Sequence, residues 1–489
     1  MRLGCRQGLV LVFLWAGIPA LVAQTDVPSA ETQRHIERVE AGLVAPVIVK
    51  GDAHAAHTLQ DRMAALHIPG VSIALIHHGQ IEWAQGFGVM KVGGPAVTAE
   101  TLFQAGSISK PVAAMAALKL VQEGKLSLDT DVNMELKSWK LPYGPEAKGK
   151  VVTLRELLTH TGGTTVHGFP GYAAGEPVPT LVQVLNGEKP ANTPAIRVET
   201  EPGTKWNYSG GGITIMQLMM IEASGEAFPK LLHDAVLAPI GMTHSTYLQP
   251  LPEDWKAMAA TPYENDGKPV AGGAHTYPEM AAAGLWTTPT DLAKYAIEVE
   301  RSLVGEANHV LSKEMTAQML TPGMGDWGLG VEIGGSKADP YFTHGGVDEG
   351  FESYFAAYEK GGEGAVVMTN AQGGEELAQE VMRSIAAEYG WADFKPKVVM
   401  PVAMDPKIVA EYVGTYEVGP NFDIVIALKD GHLVASATGQ NEEGLIAESS
   451  TKFMVPAVGA EFEFVPDAQG KVTYLVLNPG GRQMKAMKK

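Results

Sequence analysis

Strand patterns stand at both ends of a long helical stretch, and this order limits how the chain can fold. Residues 71–76 form a continuous apolar run typical of a buried strand, and residues 81–87 have the pattern of its hairpin partner. Further along, residues 354–358 and 365–369 predict two more strands, followed by a helix over 375–389. Strands from both ends can pair in one sheet with helices packed on it. We therefore predict an α/β (α+β) fold with an antiparallel sheet flanked by helices.

The middle of the chain carries clear helix signals. One helix is predicted from near Ser107 to Gln122, ahead of a glycine. Thr153 and Glu156 have the spacing of a capping box, which predicts the start of another helix. A third is predicted over 289–303, with a proline at its first position.

The pattern of apolar and polar residues changes after a proline-containing linker at residues 390–405. Short alternating strands and turn signals follow, which predict a small all-β domain, either a sandwich or a lipocalin-like barrel. We predict a main domain over 24–395 and this C-terminal domain over 405–489.

The first 23 residues have the layout of a secretory signal peptide. Arg2 and Arg6 precede an apolar run that continues to Ala23. This predicts a bacterial periplasmic or secreted protein with no stable membrane span once the leader is removed. An uncleaved membrane anchor is the alternative interpretation.

Composition excludes several classes of site and partner. Cys5 is the one cysteine and lies in the predicted leader, so we expect no disulfide, thiol nucleophile or zinc–thiolate site. A net charge of −18 argues against nucleic acid as a partner. The histidines show no His-Glu-x-x-His pattern, so we expect no metal. The oligomeric state stays open.

The segment Ser107-Ile108-Ser109-Lys110 can carry chemistry. Residues three apart share one face of a helix, so the hydroxyl and the amine can meet. A serine hydroxyl needs such a partner to take its proton when it acts as a nucleophile. The spacing alone is weak, because it recurs from Ser449 to Lys452, where we interpret it as a loop or strand without chemistry.

Three further segments strengthen the interpretation. Asn207-Tyr208-Ser209-Gly210 follows about a hundred residues later, Thr343-His344-Gly345-Gly346 precedes a strand, and residues 152–163 lie between the serine and the tyrosine. With these segments in this order, residues 55–390 resemble the serine β-lactamase-like hydrolases. That family, related to the penicillin-binding proteins, includes class C β-lactamases, D-alanyl-D-alanine carboxypeptidases, D-aminopeptidases and family VIII esterases.

The resemblance implies a role for each motif residue and no cofactor. Ser107 would form an acyl-enzyme, with Lys110 as its base or electrostatic support. Tyr208 would move the proton between nucleophile and leaving group. The backbone N–H groups of Ser107 and Val347 would form an oxyanion hole. The expected catalytic residues are Ser107, Lys110, Tyr208 and His344, and the expected substrate-binding or oxyanion residues are Gly345, Gly346, Val347 and Gly210.

Two positions depart from the pattern of true β-lactamases. Gly210 stands where the family usually has an asparagine that holds the substrate, and His344 stands where β-lactamases have a lysine. An ordinary histidine offers a substrate carboxylate only partial charge at neutral pH. Both changes argue against β-lactamase activity, and His-Gly-Gly resembles the D-aminopeptidases.

Structural interpretations compete with the catalytic ones. Without the family resemblance, Tyr208 and His344 are more often a core tyrosine and a structural histidine. His160 is interpreted as a packing residue that can line the site, and Trp286 and Trp327 as core residues that can border it.

The sequence therefore predicts a serine hydrolase acting on a small-molecule or peptide substrate. We favour a peptidase or amidase on small or D-amino-acid-containing peptides. A carboxylesterase for short acyl esters is the first alternative. A weakly catalytic protein that binds peptidoglycan fragments or penicillin is the second.

Overall fold

A computed structural model describes residues 28–52, 55–419, 422–440, 442–456, 459–478 and 483–489. The predicted leader lies outside the described residues. In these ranges no helix has the length and apolar character needed to cross a membrane. The helices are α1 (Ala30–Ala41), α2 (Leu59–Ala65), α3 (Ser109–Gln122), α4 (Val132–Glu135), α5 (Leu154–Leu158), α6 (Leu181–Asn186), α7 (Gly210–Ser224), α8 (Phe228–Leu232), α9 (Met280–Ala283), α10 (Pro289–Val304), α11 (Lys313–Met319), α12 (Gly374–Tyr389) and α13 (Pro406–Tyr412).

The strands fall into two groups along the chain. The first group is β1 (Leu43–Val44), β2 (Val47–Val49), β3 (Ala56–His57), β4 (Gly70–His77), β5 (Gln80–Gly88), β6 (Phe103–Gln104), β7 (Trp286–Thr287), β8 (Glu332–Gly335), β9 (Pro340–Asp348), β10 (Phe351–Tyr358), β11 (Gly364–Thr369) and β12 (Lys397–Val399). The second group is β13 (Gly414–Gly419), β14 (Phe422–Lys429), β15 (His432–Ala437), β16 (Glu442–Gly444), β17 (Ile446–Ala447), β18 (Lys452–Val455), β19 (Ala460–Pro466), β20 (Val472–Asn478) and β21 (Met484–Lys488).

The central sheet joins the two ends of the main domain. Over the described residues it has six antiparallel strands in the order β5-β4-β11-β10-β9-β8. The early strand β4 pairs with the late strand β11, with Ile73 opposite Val367. This pairing confirms the predicted fold class.

Both faces of this sheet are buried. Successive side chains of a strand point to opposite faces, and in β4 each set lies in its own apolar cluster. Ile73 and Leu75 pack in one apolar cluster with residues of α1 and α12. Ala74 and Ile76 pack in another with α3, α7 and α10. Helices therefore cover the sheet on both sides.

Helix α3 runs through the centre of the larger cluster. Its residues from Ser109 to Leu118 are all buried. A helix that is apolar around most of its circumference belongs in a core. The start of α3 is thus held in the core between α7 and α9, and Ser107 lies two residues ahead of it.

The C-terminal strands form a nearly closed antiparallel barrel. Nine described strands follow the order β16-β15-β14-β13-β21-β20-β19-β18-β17, and one residue separates β16 from β17. Tyr412 of α13 stacks on Phe464 with ring centroids 4.3 Å apart, and Phe453 and Tyr416 pack around this pair. The segment from Ser449 to Lys452 forms a turn in which the Ser449 hydroxyl accepts the Lys452 N–H, as expected for a motif without chemistry.

A narrow contact links the barrel to the rest of the chain. Strand β12 pairs in parallel with β2, and Val47, Val399 and Met454 form a small apolar cluster. Lys397 also pairs with Glu448 and Glu461 of the barrel.

Candidate active site

Ser107 lies in a 3₁₀ turn, Gly106–Ile108, that leads into α3. Its side chain is only partly covered, whereas Lys110 is buried at 2% exposure. Lys110 Nζ donates to Ser107 Oγ over 2.7 Å and to the Ala282 carbonyl of α9 over 2.7 Å. The two anchors fix the amine beside the hydroxyl, in the arrangement that the three-residue spacing predicts.

Tyr208 reaches the same place from another element. Ser209 caps α7 by accepting the Gly212 N–H over 2.9 Å, so Tyr208 stands just ahead of the helix. Lys110 Nζ lies 5.1 Å from the centre of the Tyr208 ring, within range of a cation–π contact. The structure thus brings Ser107, Lys110 and Tyr208 together.

Three aromatic heterocycles surround Tyr208, and a fourth packs behind them. Its ring centroid lies 4.3 Å from that of His160, 5.7 Å from Trp327 and 6.1 Å from His344. Trp206 packs on Trp327 at 5.7 Å. His344 therefore belongs to the cleft, and so do His160 and Trp327, for which the sequence favoured simple packing. Nothing in the sequence indicated that Trp206 lies beside the cleft.

The two histidines are uncharged at neutral pH. Burial and the nearby Lys110 lower the pKa of His344 to about 3 and hold the pKa of His160 well below its usual value. The partial charge expected of an ordinary histidine at position 344 is therefore absent, because a buried imidazolium would lose its hydration.

The hydrogen bonds assign opposite tautomers to the two rings. His344 Nδ1 faces the Gly345 carbonyl at 2.5 Å and must carry the proton. His160 Nδ1 accepts the Ser209 N–H over 3.2 Å, so its proton is on Nε2. His160 thereby contacts both the ring of Tyr208 and the backbone of the next residue.

Strand β9 approaches the Ser107 turn closely because two glycines lack side chains. A Cβ at Gly346 would lie 2.0 Å from the Ala105 carbonyl oxygen. Gly106 has a φ of +50°, and a Cβ there would lie 2.4 Å from the Val347 nitrogen. The Val347 backbone nitrogen thus lies against the turn that carries Ser107. Its role as an oxyanion donor stays a prediction.

The glycines at positions 345 and 210 differ in their surroundings. A Cβ at Gly345 would have no neighbour closer than 3.9 Å. Gly210 is buried, and a Cβ there would lie 3.0 Å from both the His167 carbonyl oxygen and the Phe169 ring. The position leaves no room for an asparagine side chain, and the part of Gly210 in substrate binding stays a prediction.

Two buried carboxyl groups near the cleft gave no sequence signal. Asp348 ends β9, and Glu279 precedes α9. Burial raises the pKa of Asp348 well above its usual value and that of Glu279 to about 7.

The cleft is not the place where potential metal ligands cluster. Among the described residues, the one close group of potential ligands is His77, His78 and Glu363, outside this cleft.

Comparison with known proteins places the chain in a family. The Beta-lactamase family matches residues 55–389, and a domain of unknown function, DUF3471, matches residues 400–488. PbpX of Bacillus subtilis, named as a penicillin-binding protein, is 26% identical over 57% of this chain and 64% of its own length. Penicillin-binding protein 4 of Amycolatopsis lactamdurans is 25% identical over 73% of this chain and 96% of its own length. The chain thus spans less than two thirds of PbpX and, at 60%, of protein flp of Staphylococcus aureus.

Solved structures show the same fold. The octameric penicillin-binding protein homologue from Pyrococcus abyssi superposes with a TM-score of 0.59 at 22% identity, covering 88% of this chain and 98% of that one. D-alanine carboxypeptidase AmpC from Burkholderia cenocepacia gives 0.52 at 24% identity, covering 67% and 96%. Because the family match spans well over half of the 489 residues and contains the whole cleft, this chain belongs to the β-lactamase family, whose members are serine hydrolases.

Proposed function

We propose that this protein hydrolyses an amide or ester through an acyl-enzyme on Ser107. The observation that carries the proposal is the 2.7 Å contact between Ser107 Oγ and Lys110 Nζ beside the Tyr208 ring. A buried amine held next to a partly exposed serine is the arrangement that nucleophilic catalysis requires.

The reaction runs in two steps. Ser107 Oγ attacks the carbonyl carbon while its proton passes to the Lys110–Tyr208 pair. The N–H groups of Ser107 and Val347 stabilise the oxyanion until the leaving group takes the proton and departs. Water then adds to the acyl-enzyme and loses a proton to the same pair. The bond to Ser107 Oγ breaks, the oxygen takes that proton back, and the acid is released.

The electrostatics of the cleft favour a substrate whose leaving group carries no carboxylate. A neutral His344 supplies no positive charge for a substrate carboxylate at the place where β-lactamases have a lysine. We therefore favour a peptidase or amidase that removes an amine from small or D-amino-acid-containing peptides, with short acyl esters as the second candidate. Hydrolysis rates on D-alanyl p-nitroanilide and p-nitrophenyl acetate distinguish the two.

Ser107→Ala tests the proposal. We expect turnover of every substrate found to fall by about 10³-fold or more, because the hydroxyl that forms the acyl bond is removed. Thermal unfolding should be unchanged, since Ser107 is partly exposed. A variant that keeps the wild-type rate would refute the nucleophile. Tight binding of peptidoglycan fragments without turnover in the wild type would favour the binding protein instead.

A further inference from the structure

Two hairpin turns meet at one end of the central sheet. His77 ends β4 and His78 begins the turn to β5, while Glu363 lies just before β11. The Gly79 N–H donates to the Gly362 carbonyl over 2.9 Å and locks the turns together. Residues nearly 300 positions apart in sequence are thereby fixed side by side.

The polar atoms of these three side chains converge. Glu363 Oε1 lies 2.8 Å from His77 Nδ1 and 3.7 Å from His78 Nδ1. One ligand atom from each residue falls within 4.8 Å of the other two. Metal–ligand bonds of about 2.0–2.2 Å at tetrahedral or square angles place neighbouring ligand atoms about 3.0–3.6 Å apart. The two separations from Glu363 Oε1, 2.8 and 3.7 Å, lie just below and just above this range.

We propose that His77, His78 and Glu363 bind a divalent cation of the Zn²⁺ type. Two imidazoles and one carboxylate are a ligand set that zinc uses, with a fourth position left for water. Neither histidine is part of a recognisable metal motif, and the carboxylate comes from a distant part of the sequence. The sequence could not reveal the group for that reason.

The surroundings of Glu363 support the proposal. The Trp391 indole N–H donates to Glu363 Oε2 over 3.2 Å, and the His78 backbone N–H donates to Oε1 over 3.3 Å, so both oxygens are held beside the histidines. Partners of this kind orient metal ligands. Glu300, 6% exposed, lines the same pocket as His78, and neither of its carboxyl oxygens has a hydrogen-bond partner in the described structure. A cation beside it would stabilise its ionised form.

The site is remote from the catalytic cleft. Gly346 of the cleft has register partners in the next three strands of the sheet. In order across the sheet they are Ser353, Met368 and Ser72. His77 lies five residues beyond Ser72, about 17 Å further along the strand. The cation would clamp the two turns and stabilise the sheet without entering the reaction, so the proposal stands independently of the proposed hydrolase activity.

Zinc titration tests the site. The full chain, treated with EDTA and dialysed, is titrated with ZnCl₂ in a calorimeter and its thermal unfolding is measured with and without zinc. We expect one bound ion, a higher unfolding temperature with zinc, and affinity about tenfold or more weaker in His77→Ala and His78→Ala. His78 is suited to this test because its side chain is 79% exposed, so its loss leaves the core intact.

His233→Ala is the matched control. His233 Nδ1 lies 2.7 Å from Asp234, a histidine–carboxylate pair without a second imidazole. Its loss should leave zinc affinity unchanged, and hydrolysis by all three variants should equal that of the wild type. Absence of zinc binding, or binding that survives both His77→Ala and His78→Ala, would overturn the proposal and show that Glu363 joins the turns by hydrogen bonds alone.

Discussion

At the scale of single residues, charge in the cleft is concentrated on Lys110. The imidazoles of His160 and His344 border Tyr208, and both are neutral because burial and the Lys110 charge oppose their protonation. Lys110 thus faces the hydroxyl of Ser107 and the ring of Tyr208 without a second cation among its aromatic neighbours.

Acid should destabilise the fold through His344. Its pKa is about 3 in the folded chain and near 6.5 when unfolded, so the unfolded state binds the proton first. The free energy of unfolding should fall as the pH drops below about 6.5, with the penalty complete below about 3. Urea unfolding of wild type and His344→Asn between pH 7 and 4 checks this, and the variant should lose less stability.

The exposed His233 provides the control for that measurement. His233→Asn should follow the wild-type curve. An NMR titration in which the His344 imidazole gains its proton near pH 6.5 would contradict the buried neutral form and restore a partial charge at the site.

The sequence predicted residues whose partners are close along the chain. Ser107 and Lys110 are three residues apart at the start of α3, so their contact was predicted from this spacing together with the segments that accompany it. The arrangement around Tyr208 could not be predicted in this way, because His160, Trp206 and Trp327 come from separate segments brought together only by packing. The depressed pKa of His344 depends on burial, which its sequence neighbours do not specify.

At the scale of elements, the site depends on the close approach of β9 to the nucleophile turn. Gly346→Ala would place a Cβ 2.0 Å from the Ala105 carbonyl oxygen and force β9 away from Ser107. We expect kcat/KM to fall by about 10²-fold or more, the usual effect of losing an oxyanion donor. Steady-state kinetics on the best substrate checks this.

Gly345→Ala is the matched control on the same strand. Its Cβ would have 3.9 Å of clearance, so the rate should stay within a few-fold of wild type. Equal losses of kcat/KM in the two variants would show that any side chain added to β9 lowers the rate, so that the close approach at Gly346 is not the cause.

Element prediction succeeded where a local signal was strong. The capping box at Thr153 and Glu156 is present, and the helix predicted over 289–303 is α10. Helix α3 starts at Ser109, because residues 106–108 form a tighter 3₁₀ turn. The short strands β16 and β17 gave no clear signal, since so few residues cannot show an alternating pattern.

At the scale of the whole molecule, the two predicted domains should be separable. The main sheet has its own buried clusters, and the small cluster around Val47, Val399 and Met454 connects it to the barrel. A chain ending after Val399 keeps β12 paired with β2 and should remain folded, with a single thermal transition and altered substrate preference. Differential scanning calorimetry checks this.

A shorter chain ending after Phe394 is the comparison. It removes β12, leaves β2 without its partner and should unfold at a lower temperature than the chain ending after Val399. Aggregation of both would show that the barrel and the main domain share a core.

The most direct test of the account is the site of covalent labelling by a fluorophosphonate, read by mass spectrometry of the digested protein. The account predicts a single adduct on Ser107, its absence in Ser107→Ala, and labelling slowed by about 10²-fold or more in Lys110→Ala, which removes the amine that supports proton transfer from Ser107. An adduct on another residue, or labelling equally fast without Lys110, would contradict a Ser107 nucleophile activated by Lys110.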